Sequence, residues 1–166
     1  MMVVGIDPGT KTGCGVWDMV EGRLIEVFTR DIYDVQAYLI DLRTRHQIIL
    51  VVEDARKRGG GKNAAAKAQG AGSVKRDCAL WATWAKRVGV PAYFRAPGPT
   101  FKGVAGEKMW REMTGWQAKT DDHCRDAAWQ VYNTTAPHLA LIRAHAEAQA
   151  RPRVKPRQKP KKNKIV

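Results

Sequence analysis

The sequence predicts an α/β fold in which helices flank a mixed five-stranded sheet. Apolar residues on both sides of a Pro-Gly turn in residues 2–16 indicate two adjacent antiparallel strands. A continuous apolar run at 47–53 is typical of a strand buried on both faces, usually a parallel central one. Apolar positions at helical spacing from Val35 to Leu42 predict a helix before it. Elements that alternate in this way form an α/β sandwich.

The other elements follow from the same patterns. Residues 23–29 and 92–95 predict the third and fifth strands. Asp34 is expected to cap the first helix, and Thr120 is expected to cap a later one. Further helices are predicted at 64–89, 106–114, 120–134 and 137–150.

Net charge is the strongest signal in the composition. The formal charge is +13, and residues 151–166 hold eight Lys or Arg and no acid, which leaves +5 for the other 150 residues. A basic body with a basic tail indicates a polyanionic partner, most simply nucleic acid. Prolines spaced among the tail cations predict a disordered basic tail at 151–166, after one domain at 1–150. A merely solubilising tail is the alternative.

Several classes of protein are disfavoured by the sequence. No apolar run approaches the roughly 20 residues of a membrane-spanning helix, and no secretory signal is visible. Three scattered cysteines, Cys14, Cys78 and Cys124, fit a reducing compartment rather than a disulfide framework. We therefore expect a cytoplasmic protein with no membrane partner.

Three acidic residues suggest a metal site. Asp7 and Glu53 each end an apolar strand, where a buried charge is costly unless it is paired or bound to a cation. Asp126 lies on a predicted helix beside Ala127 and Ala128, whose small side chains allow close approach to a sheet. Converging carboxylates suit Mg²⁺ or Mn²⁺. Two such ions can activate water and stabilise the leaving oxygen in phosphodiester hydrolysis.

Each acid also has a simpler explanation. Asp7 could be a turn former that bonds its own backbone, and Glu53 could pair with Arg56 or Lys57 at the surface. Asp122 could be only a helix-start acid. It lies four residues before Asp126, so it can share a helical face with that residue. The metal hypothesis gains because these signals occur together in a basic protein.

Other polar, aromatic and small residues near these motifs have more than one possible role. His123 and Cys124 are adjacent, but no second Cys/His pair is spaced to complete a zinc site. Trp81 and Trp84 on one helix are predicted to lie in the core. Gly5, with Gly9, is expected to leave room beside the first acid for a phosphodiester.

The motifs together resemble those of RuvC-type Holliday junction resolvases, within the ribonuclease-H-like superfamily. The first and last of these motifs are the specific ones, and the resemblance extends over about residues 2–134. The segments that carry the resemblance are GIDPGTKTGCGV (5–16), VVED (51–54), AKAQGAGSVKR (66–76), KMWREMTGW (108–116) and HCRDAAW (123–129).

The resemblance implies a ribonuclease-H-like nuclease domain with a defined set of site residues. Asp7, Glu53 and Asp126 match the metal-binding acids, and His123 matches a position that is either an acid or His in the family. Asp122 is the adjacent alternative for the fourth ligand. The implied enzyme is a homodimeric endonuclease with two Mg²⁺ ions per site, for which Mn²⁺ substitutes. It nicks two strands of a four-way DNA junction symmetrically, and the histidine is a ligand or helps deprotonate the attacking water.

The resemblance also leaves room for other functions. Residues 54–72 are more glycine-rich and basic than the family's loop and lack its aromatic residues, which keeps open a broader nuclease for branched DNA, flaps or RNA. A non-enzymatic nucleic-acid-binding module and an actin-like ATPase are the remaining alternatives. The basic tail is an addition typical of phage members, which suggests a bacterial or phage-infected cell. The expected phosphate contacts are Arg56, Lys57, Arg58, Lys62, Lys102 and Lys108.

Overall fold

A mixed five-stranded sheet forms the centre of the computed structural model, which describes residues 1–57 and 71–151. The strand order is β3-β2-β1-β4-β5. The central strand β1 is antiparallel to β2 and parallel to β4, and β5 continues the parallel part. This topology confirms the predicted mixed sheet. The strands are β1 (Met2–Asp7), β2 (Lys11–Asp18), β3 (Arg23–Asp31), β4 (Ile48–Glu53) and β5 (Ala92–Arg95).

Five α-helices and one short 3₁₀ turn at Ala55–Lys57 accompany the sheet in the described residues. Within that part of the chain, no helix is both long and apolar enough to cross a membrane. Residues 58–70 and 152–166, which include Arg58, Lys62 and nearly all of the predicted tail, lie outside the described residues. The helices are α1 (Ile32–Arg45), α2 (Ala71–Val88), α3 (Gly103–Thr114), α4 (Asp122–Trp129) and α5 (Ala136–Ala150).

Each face of the sheet is covered by its own apolar cluster. Side chains alternate between the faces along a strand, so Val4 and Ile6 face one side while Val3 faces the other. On the first side α1 and α2 contribute Leu39 and the two tryptophans Trp81 and Trp84, which are buried as predicted. The second cluster contains residues of α3, α4 and α5.

Both helix caps differ from the predicted residues, by three positions in α1 and by one in α4. Asp31, not Asp34, caps α1, because its carboxylate accepts from the backbone N–H of Tyr33. Asp121, not Thr120, caps α4, and its carboxylate accepts from the N–H of Cys124. In each case a second capping-type residue lies close by in the sequence, and only the extended backbone at the cap position distinguishes the two.

Candidate active site

The first two predicted acids end neighbouring parallel strands. Ile6 of β1 is in register with Val52 of β4, so Asp7 and Glu53 occupy the next position on each strand. Since Ile6 and Val52 both face the α1–α2 side, alternation directs the two acids to the opposite face. That is the face on which α4 packs. Asp7 and Glu53 therefore lie at the same end of two neighbouring strands, as predicted for the strand positions.

Glycines on β1 and β2 allow α4 to lie directly on the sheet. A Cβ added at Gly5 would lie 2.0 Å from the carbonyl oxygen of Ala127, and one at Gly13 would lie 2.1 Å from that of His123. At Gly15 it would lie 2.3 Å from the Cα of Ala128. No side chain fits at these distances, so glycine is required for this contact.

This contact corrects the role expected for Gly5. The space beside it is filled by the α4 backbone and is not open to a phosphodiester. A Cβ at Gly9 would approach only Lys11 of its own turn, at 3.0 Å, so the expectation for Gly9 stays a prediction.

The close packing of α4 places His123 against Asp7. The imidazole Nδ1 lies 2.9 Å from the Oδ2 atom of Asp7. The Asp7 side chain is 17% exposed and the His123 side chain is 56% exposed, so the pair lies at the surface end of the sheet. The hydrogen bond that the ring donates to the Asp7 carboxylate raises the pKa of His123, and the negative charges of Asp121 and Asp126 act in the same direction. The ring therefore holds a proton to higher pH than a free histidine does.

Asp126 is the more deeply buried acid of α4. Its residue is 8% exposed, and its Oδ1 accepts a 2.7 Å hydrogen bond from the backbone N–H of Phe101. Burial raises the pKa of Asp126, and the carboxylates of Asp7 and Asp122 raise it further, against the opposing effects of Phe101 and the Lys102 ammonium. This is an acid in an environment that disfavours its negative charge. A cation placed beside it would relieve that cost.

Asp122, the alternative fourth ligand, is occupied by other groups. Its Oδ1 accepts from the guanidinium of Arg125 and from the backbone N–H of Gly103, the latter at 3.3 Å. Of the two candidates, His123 is therefore the one whose side chain contacts Asp7. Spacing on a helix could not distinguish them, because both lie within one turn of Asp126.

The chemistry of the donor set suits a hard divalent cation. Within residues 1–57 and 71–151, no three His, Cys, Asp or Glu side chains are placed so that they could hold a metal ion. Asp7 is bonded to His123, and Asp126 to Phe101. Burial and the nearby carboxylates of Asp7 and Asp122 raise the pKa of Asp126, and a hard divalent cation such as Mg²⁺ or Mn²⁺ would offset both effects.

The cationic candidates have different surroundings. The Arg56 guanidinium donates two hydrogen bonds, of 2.7 and 3.0 Å, to the buried carboxylate of Asp54. Burial alone would raise the pKa of Asp54, but these bonds and the Arg56 charge lower it overall. Lys57 donates to the carbonyl of Phe94. Both cations thus stand at the β4–β5 end of the sheet, next to Glu53.

The two lysines of α3 differ from each other. Lys102 is the N-cap of α3, and its charge acts on Asp126. Lys108 forms only an exposed 3.9 Å pair with Glu112, one turn later on the same helix. Of these two lysines, Lys102 is therefore the one whose charge acts on Asp126.

Sequence reasoning missed Arg125. This residue is 2% exposed, belongs to the segment HCRDAAW and lies between the candidate acids Asp122 and Asp126. A buried arginine must be satisfied by several partners. The available signal was its position next to Asp126, on a helix already predicted to be buried against the sheet.

Comparison with known proteins finds a similar fold among solved structures. No protein-family model matches the sequence, and no curated protein matches it significantly. Among solved structures, Thermus thermophilus RuvC in complex with a Holliday junction substrate matches with a TM-score of 0.53 and 19% identity, over 90% of this chain and 96% of that chain. A second T. thermophilus RuvC structure matches with a TM-score of 0.48 and 21% identity over the same shares. At such identities the first match shows a shared fold, so the chain has the ribonuclease-H-like fold found in RuvC.

Proposed function

We propose that this protein is a divalent-metal-dependent endonuclease that resolves four-way DNA junctions. The observation that carries the proposal is the hydrogen bond between His123 and Asp7 at the end of β1, with Glu53 at the matching position of β4 and with the Asp7 charge acting on Asp126. The ribonuclease-H-like fold and the +13 net charge support it. The proposed ligands are Asp7, Glu53, Asp126 and His123, with Asp122 outside the set.

The proposed cofactor is Mg²⁺, two ions per site, with Mn²⁺ as a substitute. Bound ions of this kind activate a water and stabilise the leaving oxygen in phosphodiester hydrolysis. In this proposal, α4 and the adjacent ends of β1 and β4 orient the carboxylates that bind the ions. His123 can hold or release a proton next to Asp7, because its imidazole is bonded there.

The proposed substrate is branched DNA, cut by paired nicks from a homodimer in the cytoplasm of a bacterial or phage-infected cell. The proposed phosphate contacts are Lys102, whose charge acts on Asp126, and Arg56 and Lys57, which follow Glu53 in the chain. Arg58, Lys62 and Lys108 remain proposed contacts, the first two outside the described residues. Contacts of this type give affinity without reading sequence.

Cleavage of matched four-way, Y-shaped and linear DNA tests the proposal. Wild-type protein should cut the four-way junction in Mg²⁺ and not in EDTA. Asp7→Asn should lose cleavage by about a hundredfold or more, since metal chemistry contributes several kcal/mol and each 1.4 kcal/mol is tenfold. It should still bind the junction. Asp34→Asn, an exposed acid in the first turn of α1, is the matched control.

The other outcomes distinguish the rival functions. Equal cutting of all three DNAs would favour a broader nuclease, in line with the glycine-rich, aromatic-free segment at 54–72. Binding with no metal-dependent cleavage by wild-type protein would favour a binding module. Tight ATP binding would favour the actin-like alternative.

A further inference from the structure

Three charged side chains of α4 hold one short backbone segment, residues 101–103. The carboxylate of Asp126 accepts from the N–H of Phe101 at 2.7 Å. The guanidinium Nε of Arg125 donates to the carbonyl of the same residue at 3.0 Å. Asp122 accepts from the N–H of Gly103 at 3.3 Å. The backbone that leads from β5 into α3 is thus held at both the N–H and the carbonyl of Phe101.

Arg125 is the centre of this arrangement. Its side chain is 3% exposed, and it pairs with Asp122 one turn earlier. Its Nη1 donates to both the carbonyl and the hydroxyl of Thr120, each at 3.1 Å. Burying a guanidinium is costly, and here every edge of it has a partner. A side chain held in this way has a single conformation, and it restricts the positions of the groups that it contacts.

Packing on the other side of Phe101 reinforces the same geometry. The Phe101 ring is buried and packs edge-on against Trp110 and Trp129. Gly106 of α3 lies so close that an added Cβ would be 2.4 Å from the carbonyl carbon of Phe101. The backbone at this residue therefore cannot shift without moving α3 or α4.

The position of this segment determines two groups of the proposed site. The Phe101 N–H orients the carboxylate of Asp126, and the next residue, Lys102, brings a cation whose charge acts on that carboxylate. We propose that Arg125, neutralised by Asp122, is a positioning residue that holds the 101–103 segment and so fixes both Asp126 and Lys102. This inference rests on the proposed function for its catalytic meaning, but its structural part can be tested independently.

Two substitutions test this proposal: the conservative Arg125→Lys, and Arg125→Met, which removes both the guanidinium and its charge. Lysine keeps the charge near Asp122 but loses the planar fork that reaches Phe101 and Thr120 together. Arg111→Met is the matched control, because Arg111 also bonds loop carbonyls, those of Gln117 and Ala118, but not the 101–103 segment. Thermal melting identifies any variant that fails to fold. If Arg125→Met does not fold, Arg125→Lys alone is compared with wild type and the control.

Three readouts separate positioning from simple stability. In DNA-free protein, hydrogen exchange at the Phe101 amide should become at least tenfold faster in Arg125→Lys and remain unchanged in Arg111→Met. The Kd for Mn²⁺, measured by calorimetry, should rise about 10–100-fold, as for other groups that orient metal ligands. Below the melting temperature, kcat for junction cleavage should fall about a hundredfold while KM changes little.

The outcomes also separate this inference from the proposed function. Unchanged amide exchange, Mn²⁺ affinity and kcat in Arg125→Lys would overturn the inference, as would equal losses in Arg111→Met. Wild-type protein that neither binds Mn²⁺ nor cuts junctions would instead refute the proposed function. In that case the exchange measurement would still decide whether Arg125 holds the segment.

Discussion

Replacing Gly5 by alanine should disturb the site without touching any charged residue. The added Cβ would lie 2.0 Å from the Ala127 carbonyl oxygen, whereas ordinary contacts begin near 3.4 Å. Helix α4 would therefore have to retreat by about 1.4 Å, and it carries His123 and Asp126 with it. Asp7, two residues after Gly5 on β1, would stay with the sheet. The distance between the acids should increase by a similar amount.

The expected cost has a stability part and a catalytic part. Overpacking of this kind costs about 1–3 kcal/mol, which lowers the melting temperature of a domain this size by roughly 2–12 °C. A displacement of about 1 Å at a reacting centre costs about a hundredfold in rate. Differential scanning calorimetry measures the first, and single-turnover junction cleavage at 20 °C, below the melting transition, measures the second.

Gly72→Ala is the matched control. In the described part of the chain, no atom apart from its chain neighbours and its own helix backbone lies within 4 Å of the position where its Cβ would be. The residue is in α2, where alanine favours the helix by up to about 1 kcal/mol. This variant should be as stable as wild type or more so, with normal cleavage. If Gly5→Ala melts and cuts like wild type, the close packing of α4 on the sheet does not position the acids, and the reasoning fails.

Two further predictions concern charge. Because the Asp7 hydrogen bond raises the pKa of His123 in the fold, its stabilisation is complete below about pH 6.5, the unperturbed value, and is lost as pH rises through the folded pKa. In EDTA, the melting temperature of wild type minus that of His123→Asn should therefore fall as pH rises over that interval. The same pH dependence of both melting temperatures would contradict the pairing of His123 with Asp7. Truncation after Ala150 removes eight cations. They follow α5, whose Gln149 side chain bonds both the N–H and the carbonyl of Phe94 in β5. At ~3.4 Å per residue, the removed segment is long enough to reach DNA at the site. The slope of log K for junction binding against log salt should become shallower by about 0.9 for each phosphate that the tail neutralises in the full-length protein, and an unchanged slope would exclude a DNA role for the tail.

The sheet and its two acids could be predicted because they depend on local patterns. Apolar runs specify buried strands, and an acid that directly ends such a run stands out. The parallel pairing of β1 with β4 then brings Asp7 and Glu53 together, as the structure confirms for the strand positions. Residues 152–166 of the tail, Arg58 and Lys62 lie outside the described residues, so those expectations stay predictions.

The contacts within the site could not be predicted because they depend on residues distant in the chain. Asp122 and His123 are adjacent on α4, and only Arg125 and the 101–103 segment show which of them is occupied elsewhere. The expectation for Gly5 was wrong for a similar reason, since the atom that fills its space belongs to Ala127. Sequence spacing identifies which residues share a helix face but not which partner that face meets.

The central claim is that the acids at the end of β1 and on α4 bind catalytic metal ions. Anomalous diffraction from crystals grown with saturating Mn²⁺ tests it most directly. We expect Mn²⁺ density within about 2.2 Å of carboxylate oxygens of both Asp7 and Asp126, as for other small hard cations. Absence of such density, or Mn²⁺ bound only at other residues, would contradict it.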